Sequence, residues 1–139
     1  MSFFEWLGES MNPGPLGTVH SARHKPVFPP GMKRGRVLLL AVVGWTLLVY
    51  GLNTIYHLEE DRWQWALGFA VYLAIAALIT PAPDARNMGF AGGLIDHPFR
   101  ITDDYNRLLA FLLVFLVPGK IIIFAVAATV RLARQKLSP

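Results

Sequence analysis

The chain has 139 residues, of which 54% are apolar and 16% charged, with a formal net charge of +4 and no cysteine. A soluble domain has about 45–50% apolar and about 25% charged residues, so this chain is unusually apolar. Three stretches of roughly 18–23 residues are almost wholly apolar, and each is about long enough to cross a bilayer. The composition excludes an ordinary soluble domain, a disordered tail and a disulfide-stapled secreted scaffold. It predicts a small all-α integral membrane protein.

Residues 1–32 are predicted to form a short interfacial helix and an extended arm. Ser2 and Glu5 have the spacing of a capping box, which favours a helix at the start of the chain. This helix is expected to dock on a partner subunit or a lipid surface through its apolar side chains Phe3, Phe4, Trp6 and Leu7. Residues 12–32 hold five of the ten prolines, so neither a helix nor the core of a sheet is expected there. We expect another subunit to hold this arm.

Residues 33–80 are predicted to form an antiparallel transmembrane hairpin, with spans at about 37–56 and 63–80. The loop between the spans has only about six residues, which favours neighbouring helices. In lipid, small residues allow two helix backbones to approach closely. We expect an alanine stripe on the second span to pack on a glycine face of the first. The residues assigned to this contact are Gly44, Gly51, Ala66, Ala70, Ala74 and Ala77.

A polar loop over residues 81–107 is followed by a third membrane segment at 108–130 and a basic tail at 131–139. Pro118 and Gly119 lie at the centre of the third segment. A proline–glycine pair at this place predicts a kinked crossing, or alternatively a re-entrant hairpin that turns there and returns to the same side.

Lys120 lies beside this pair, and a charged side chain at the centre of a span costs about 2.5–3.5 kcal/mol on insertion scales. Two interpretations stay open. Lys120 contacts a partner's carboxylate, a lipid phosphate or a quinone-like headgroup, or the helix is shifted or broken and the side chain reaches the interface.

His57 ends the first span, near Trp63 and Trp65. A neutral imidazole at this depth can ligate a haem iron or a chlorin magnesium, whereas an interfacial polar residue is the alternative interpretation. No catalytic residue or metal site is expected, because His20 and His24 lack a third ligand and no serine lies in a span. No cofactor is required, although contact with a pigment, haem, quinone or lipid stays open.

The basic residues predict the orientation of the chain. Eight Lys and Arg side chains fall on the side of the N-terminus, which places that side in the cytoplasm. The expected location is a bacterial inner membrane. Nucleic acid is not an expected partner, because basic and aromatic residues do not alternate as in a stacking groove.

These features predict a non-catalytic accessory subunit of a larger membrane complex, with a respiratory or photosynthetic assembly as the expected host. Other membrane subunits and lipids are its expected partners. Two alternatives remain: a homo-oligomeric channel or transporter subunit with Lys120 in the path, and a pigment- or haem-binding subunit that uses His57.

Overall fold

The computed structural model describes residues 16–21, 31–58, 60–84 and 101–137. In the last of these segments, side chains are described for residues 104–133. Within these residues the chain is mostly helical. The elements follow in the order strand β1 (Thr18–Ser21), helix α1 (Arg34–Tyr56), helix α2 (Arg62–Leu78), strand β2 (Ile79–Ala82) and helix α3 (Ile101–Leu137).

The strands β1 and β2 form a two-stranded sheet, which corrects the all-α expectation. The second apolar stretch was expected to be helical as far as residue 80, but α2 ends at Leu78, and Ile79 is extended with φ −120° and ψ 147°. Pro81 favours an end of the helix in this region, because proline lacks a backbone N–H and biases the preceding residue, Thr80, towards extended geometry.

Part of the proline-rich arm pairs with another segment of the same chain. Thr18–Ser21 forms β1 and pairs with β2, although no sheet was expected in this arm. These four residues contain no proline and include the β-branched Thr18 and Val19, so their backbone donors are intact and their side chains favour a strand. Residues 22–30 lie outside the described part of the chain.

Helix α3 runs without interruption through Pro118. The re-entrant hairpin is therefore wrong. The helix also begins seven residues before the expected segment at 108–130 and ends seven residues after it, inside the basic tail. Its 37 residues correspond to about 55 Å at the usual rise of an α-helix, more than a bilayer core requires.

The chain divides into two compact units. The first unit consists of residues 1–21 and 80–115, and its buried side chains include Pro81, Asn106 and Leu109. The second consists of residues 22–79 and 116–139, and its interior includes Ala76, Leu116, Lys120, Ile122 and Ala125.

Two helices are long and apolar enough to cross a membrane, namely α1 over its whole length and α3 over Asp104–Ala133. Only 6% of the apolar window of α1 is buried within the chain, compared with 33% for α3. Helix α2 is apolar but has only 17 residues.

Candidate functional site

Gly44 is the buried residue of α1 and faces α3. A Cβ atom at this position would lie 2.5 Å from the carbonyl oxygen of Ile121 and 2.6 Å from the Cβ of Ala125. Only a glycine therefore lets the two backbones come this close. The predicted pairing of Gly44 with the alanine stripe is wrong, because the neighbour of Gly44 is α3.

A hydrogen bond between side chains lies beside this contact. The indole Nε1 of Trp45 donates to the hydroxyl of Thr129 at 3.0 Å, and that hydroxyl donates to the carbonyl of Ala125 at 3.0 Å. The indole and the glycine are adjacent in sequence, so the α1–α3 contact combines close backbone approach with a directional bond.

Helices α1 and α2 meet at Gly51, where an added Cβ would lie 3.1 Å from the ring of Phe69. The predicted alanine stripe contributes less than expected. Ala70 and Ala74 are exposed, and Ala66 and Ala77 are half-buried. Ala76 is the buried alanine of α2, and its Cβ would lie 2.8 Å from a Cβ added at Gly119.

Lys120 is only 5% exposed, and its ammonium group lies at the end of α2. Its Nζ donates to the carbonyl oxygen of Ala76 at 3.0 Å and to that of Ile79. The last four carbonyls of a helix lack partners within the helix, and a cation there interacts favourably with the helix dipole. The last turn of α2 contains no basic residue of its own, so Lys120 provides this cation from another helix.

This geometry corrects one interpretation of Lys120. Helix α3 is not broken at this point, and the side chain is buried in its own unit instead of reaching an interface. Two backbone carbonyls accept hydrogen bonds from the ammonium group, and its contact with a carboxylate, a phosphate or a quinone-like headgroup of another molecule stays a prediction.

Tyr72 supports α3 where proline weakens the helix. Proline in a helix interior removes one backbone donor and displaces the carbonyl four residues earlier. Beside Pro118, the N–H of Gly119 donates to the Tyr72 hydroxyl at 2.9 Å. The ring of Tyr72 stacks on Phe69 with a centroid distance of 6.4 Å, which orients the hydroxyl towards α3.

A second polar contact lies in the other unit, around the buried side chain of Asn106. Its Oδ1 accepts the N–H of Gly17 at 2.8 Å and the N–H of Asp84 at 3.2 Å. A Cβ at Gly17 would lie 2.6 Å from the carbonyl oxygen of Ala82, so the arm fits here because Gly17 has no side chain. The Asn106 carboxamide thus joins α3 to the backbone just before β1 and to the backbone just after β2.

His57 follows α1 and is exposed, with its ring in edge contact with Tyr56 at 5.5 Å. Trp63 and Trp65 are exposed as well, and these rings do not enclose the imidazole. Within the described ranges, no three His, Asp or Glu side chains lie close enough together to hold a metal. Phe3, Phe4, Trp6, Leu7 and His24 lie outside the described residues.

The sequence analysis did not single out Tyr72, Ala76 or Asn106. Tyr72 did leave a signal, because it is the only side chain with a hydroxyl or amide group between Trp65 and Ile79. The carbonyls that bind Lys120 leave no signal in the sequence, since every residue type has a backbone carbonyl.

Comparisons with protein-family models, curated proteins and solved structures found no match to this chain. Its function is therefore inferred from the contacts described above.

Proposed function

We propose that this chain is a non-catalytic accessory subunit of a multi-subunit membrane complex. The observation that carries the proposal is the apolar surface of α1, which the chain itself leaves almost entirely uncovered. The other membrane subunits of the complex and the surrounding lipid would cover that surface.

Exposed large side chains support a place in the membrane. Leu39 and Val42 of α1 are each 64% exposed, and Phe111 of α3 is 73% exposed. The core helix of a soluble protein buries such side chains, and a soluble monomer rarely exposes a large continuous apolar patch. A bilayer removes this cost, because its hydrocarbon core is itself apolar.

The ends of the helices support a transmembrane hairpin of α1 and α2. Tyr56, Trp63 and Trp65 are exposed around the turn that joins them, as in the aromatic belt of a membrane–water interface. Lys33 and Arg34 are exposed at the other end of α1. With these cations on the cytoplasmic side, the N-terminal side of the chain is cytoplasmic, and the proposed location is a bacterial inner membrane.

The polar groups inside the chain support a structural role. Lys120 and Tyr72 bind backbone atoms of their own unit, and so does Asn106 in the other unit. Backbone that leaves the helix at membrane depth must be satisfied by surrounding protein. Lys120 does this where α2 ends, so its cost in the membrane is explained by architecture without a substrate.

The small buried core supports a dependence on neighbours. Among the described residues, the buried apolar side chains are Ala76, Pro81, Leu109, Leu116, Ile122 and Ala125. Small subunits of this kind fill gaps between larger helical bundles. We take an energy-transducing complex, respiratory or photosynthetic, as the proposed host, because such complexes commonly carry small membrane subunits.

The test uses the chain with a C-terminal tag, expressed at native level. Extraction of the membranes with alkaline carbonate comes first, and we expect the chain to stay in the pellet. Mild detergent, tag purification, size measurement and mass spectrometry follow, and we expect one large particle with several other membrane proteins in fixed ratio. Release by carbonate would contradict the membrane placement. A small particle that holds this chain alone would contradict the accessory-subunit role.

A further inference from the structure

The face of α1 that points away from the rest of its unit carries a regular seam. At about 100° per residue, the half-buried residues of α1 cluster around Gly44. On the opposite side, exposed residues recur at alternating intervals of three and four. This outer seam consists of Leu39, Val42, Thr46, Val49, Asn53 and Tyr56.

The spacing of the outer seam is the heptad spacing of helices that pack side by side. Intervals of three and four average 3.5 residues, which keeps one face of a helix against a partner helix. Apolar residues at such intervals are unremarkable in a membrane span, because nearly every position there is apolar. The outer seam is distinguished from the other faces of α1 by the one carboxamide of this helix, which belongs to Asn53.

Asn53 lies nine residues from Gly44, which puts it diametrically opposite the internal contact of α1. Its carboxamide is exposed and, in the described part of the chain, forms no hydrogen bond. The two threonines of α1 differ from it, because Thr46 donates to the carbonyl of Val42 and Thr54 to that of Tyr50, both at 2.9 Å. Unlike these two hydroxyls, the Asn53 carboxamide is available to a neighbour.

We propose that the outer seam of α1 packs against the same seam of a second copy of this chain. The two helices lie parallel across a two-fold axis, and the two Asn53 carboxamides hydrogen-bond to each other. The proposal rests on the membrane placement in the proposed function, and it adds one specific contact between copies inside the complex.

The chemistry of the carboxamide selects a second copy as the occupant. An amide carries a donor with partial positive charge and an acceptor with partial negative charge, so two amides across a two-fold axis place opposite charges together. Two copies inserted with the same topology have Asn53 at the same depth, which provides the alignment without further cost. A single asparagine on such a seam is known to fix register and partner number.

The natural lack of cysteine allows a clean crosslinking test in native membranes. Val49→Cys puts one thiol on the outer seam, and Leu52→Cys puts one outside the seam, about 4.5 Å further along the axis of α1. The two parent side chains have similar exposure, 60% and 53%. We expect mild oxidation to give a homodimer several times more readily with Val49→Cys. Equal yields at both sites, or crosslinks to a different protein only, would overturn the proposal.

A second variant tests Asn53 itself. We expect Asn53→Leu in the Val49→Cys background to lower the dimer association constant by about 3- to 30-fold, and Asn53→Gln to retain most of it. Neither change touches the Gly44 contact, so helix content and purification yield should match the parent. Unchanged crosslinking in Asn53→Leu would overturn the role of the amide pair. Recovery of the heteromeric particle is scored separately, so loss of the dimer and loss of the proposed complex are distinguishable.

Discussion

The Nζ atom of Lys120 lies 3.0 Å from the carbonyl oxygen of Ala76, in the last turn of a different helix. This bond joins α2 and α3, and it places the only charged side chain of residues 108–130 against backbone carbonyls that need a donor. The lysine thus stabilises the end of α2 from a different helix. In many helices a basic residue in the last turn has this role.

We expect Lys120→Met to weaken the attachment of α2 to α3 while the chain still inserts. Methionine fills much of the same space but donates no hydrogen bond, and a lost bond to a charged group costs about 1.5–3 kcal/mol. The measurement is the midpoint of thermal unfolding in detergent, which should fall. Arg131→Met removes an exposed cation from the same helix and serves as the control. Equal midpoints for Lys120→Met and the parent would contradict the role given to Lys120.

Two glycine variants with opposite surroundings test the α1–α3 contact. We expect Gly44→Ala to destabilise the fold by about 1–3 kcal/mol, because its methyl group would meet the backbone of Ile121. Gly68→Ala on α2 is the matched control, since its methyl group would meet nothing within 4 Å. It should be neutral or stabilise by about 0.5–1 kcal/mol, as alanine favours a helix more than glycine does. The measurement is the free energy of unfolding of each variant, obtained by denaturant titration in detergent. A neutral or stabilising effect of Gly44→Ala would contradict the close approach of Gly44 to α3.

A double-mutant cycle tests whether Tyr72 compensates for Pro118. Tyr72→Phe keeps the ring that stacks on Phe69 but loses the hydroxyl, so we expect a cost of about 0.5–1.5 kcal/mol. In Pro118→Ala the helix recovers its own backbone bond, and the same tyrosine change should then cost less. Stabilities of the four proteins give the coupling energy. Additive effects would mean that the hydroxyl and the proline act independently.

The contact at Asn106 is tested through the arm. Asn106→Leu keeps the branching of the side chain but removes the acceptor of the Gly17 and Asp84 N–H groups, whereas Asn106→Asp keeps an oxygen there. We expect Asn106→Leu to speed tryptic cleavage after Arg23 several-fold, with Asn106→Asp close to the parent. Cleavage at the same rate in all three proteins would contradict the view that Asn106 holds the arm.

The positions of α1 and α2 were predictable from sequence more readily than their contacts or the length of α3. The uncharged run from residue 37 marks α1 closely, and the Trp63–Trp65 region marks the start of α2. In a membrane span both faces are apolar, so hydrophobic periodicity does not show which face meets another helix. This is why Gly44 was recognised as a packing residue but assigned to α2 rather than to α3.

Other differences between the predicted and the observed structure involve the backbone, which side-chain patterns do not reveal. Lys120 was recognised as unusual from its position, yet its partners are carbonyls of Ala76 and Ile79, which no side-chain pattern reveals. The β1–β2 pair joins segments about sixty residues apart, and neither strand is long enough for alternation to identify it. Pro81 did carry a usable signal, since it predicts an extended residue before it and hence the end of α2.

The early end of α2 has a consequence for the order of biosynthesis. Its 17 residues span about 25 Å, less than the bilayer core, and the group that binds its terminal carbonyls lies more than forty residues further along the chain. While α3 is still inside the ribosome, the end of α2 has no ammonium group to bind its carbonyls. In the proposed membrane placement, we therefore expect a nascent chain stalled before residue 120 to hold α2 less firmly than the finished chain does.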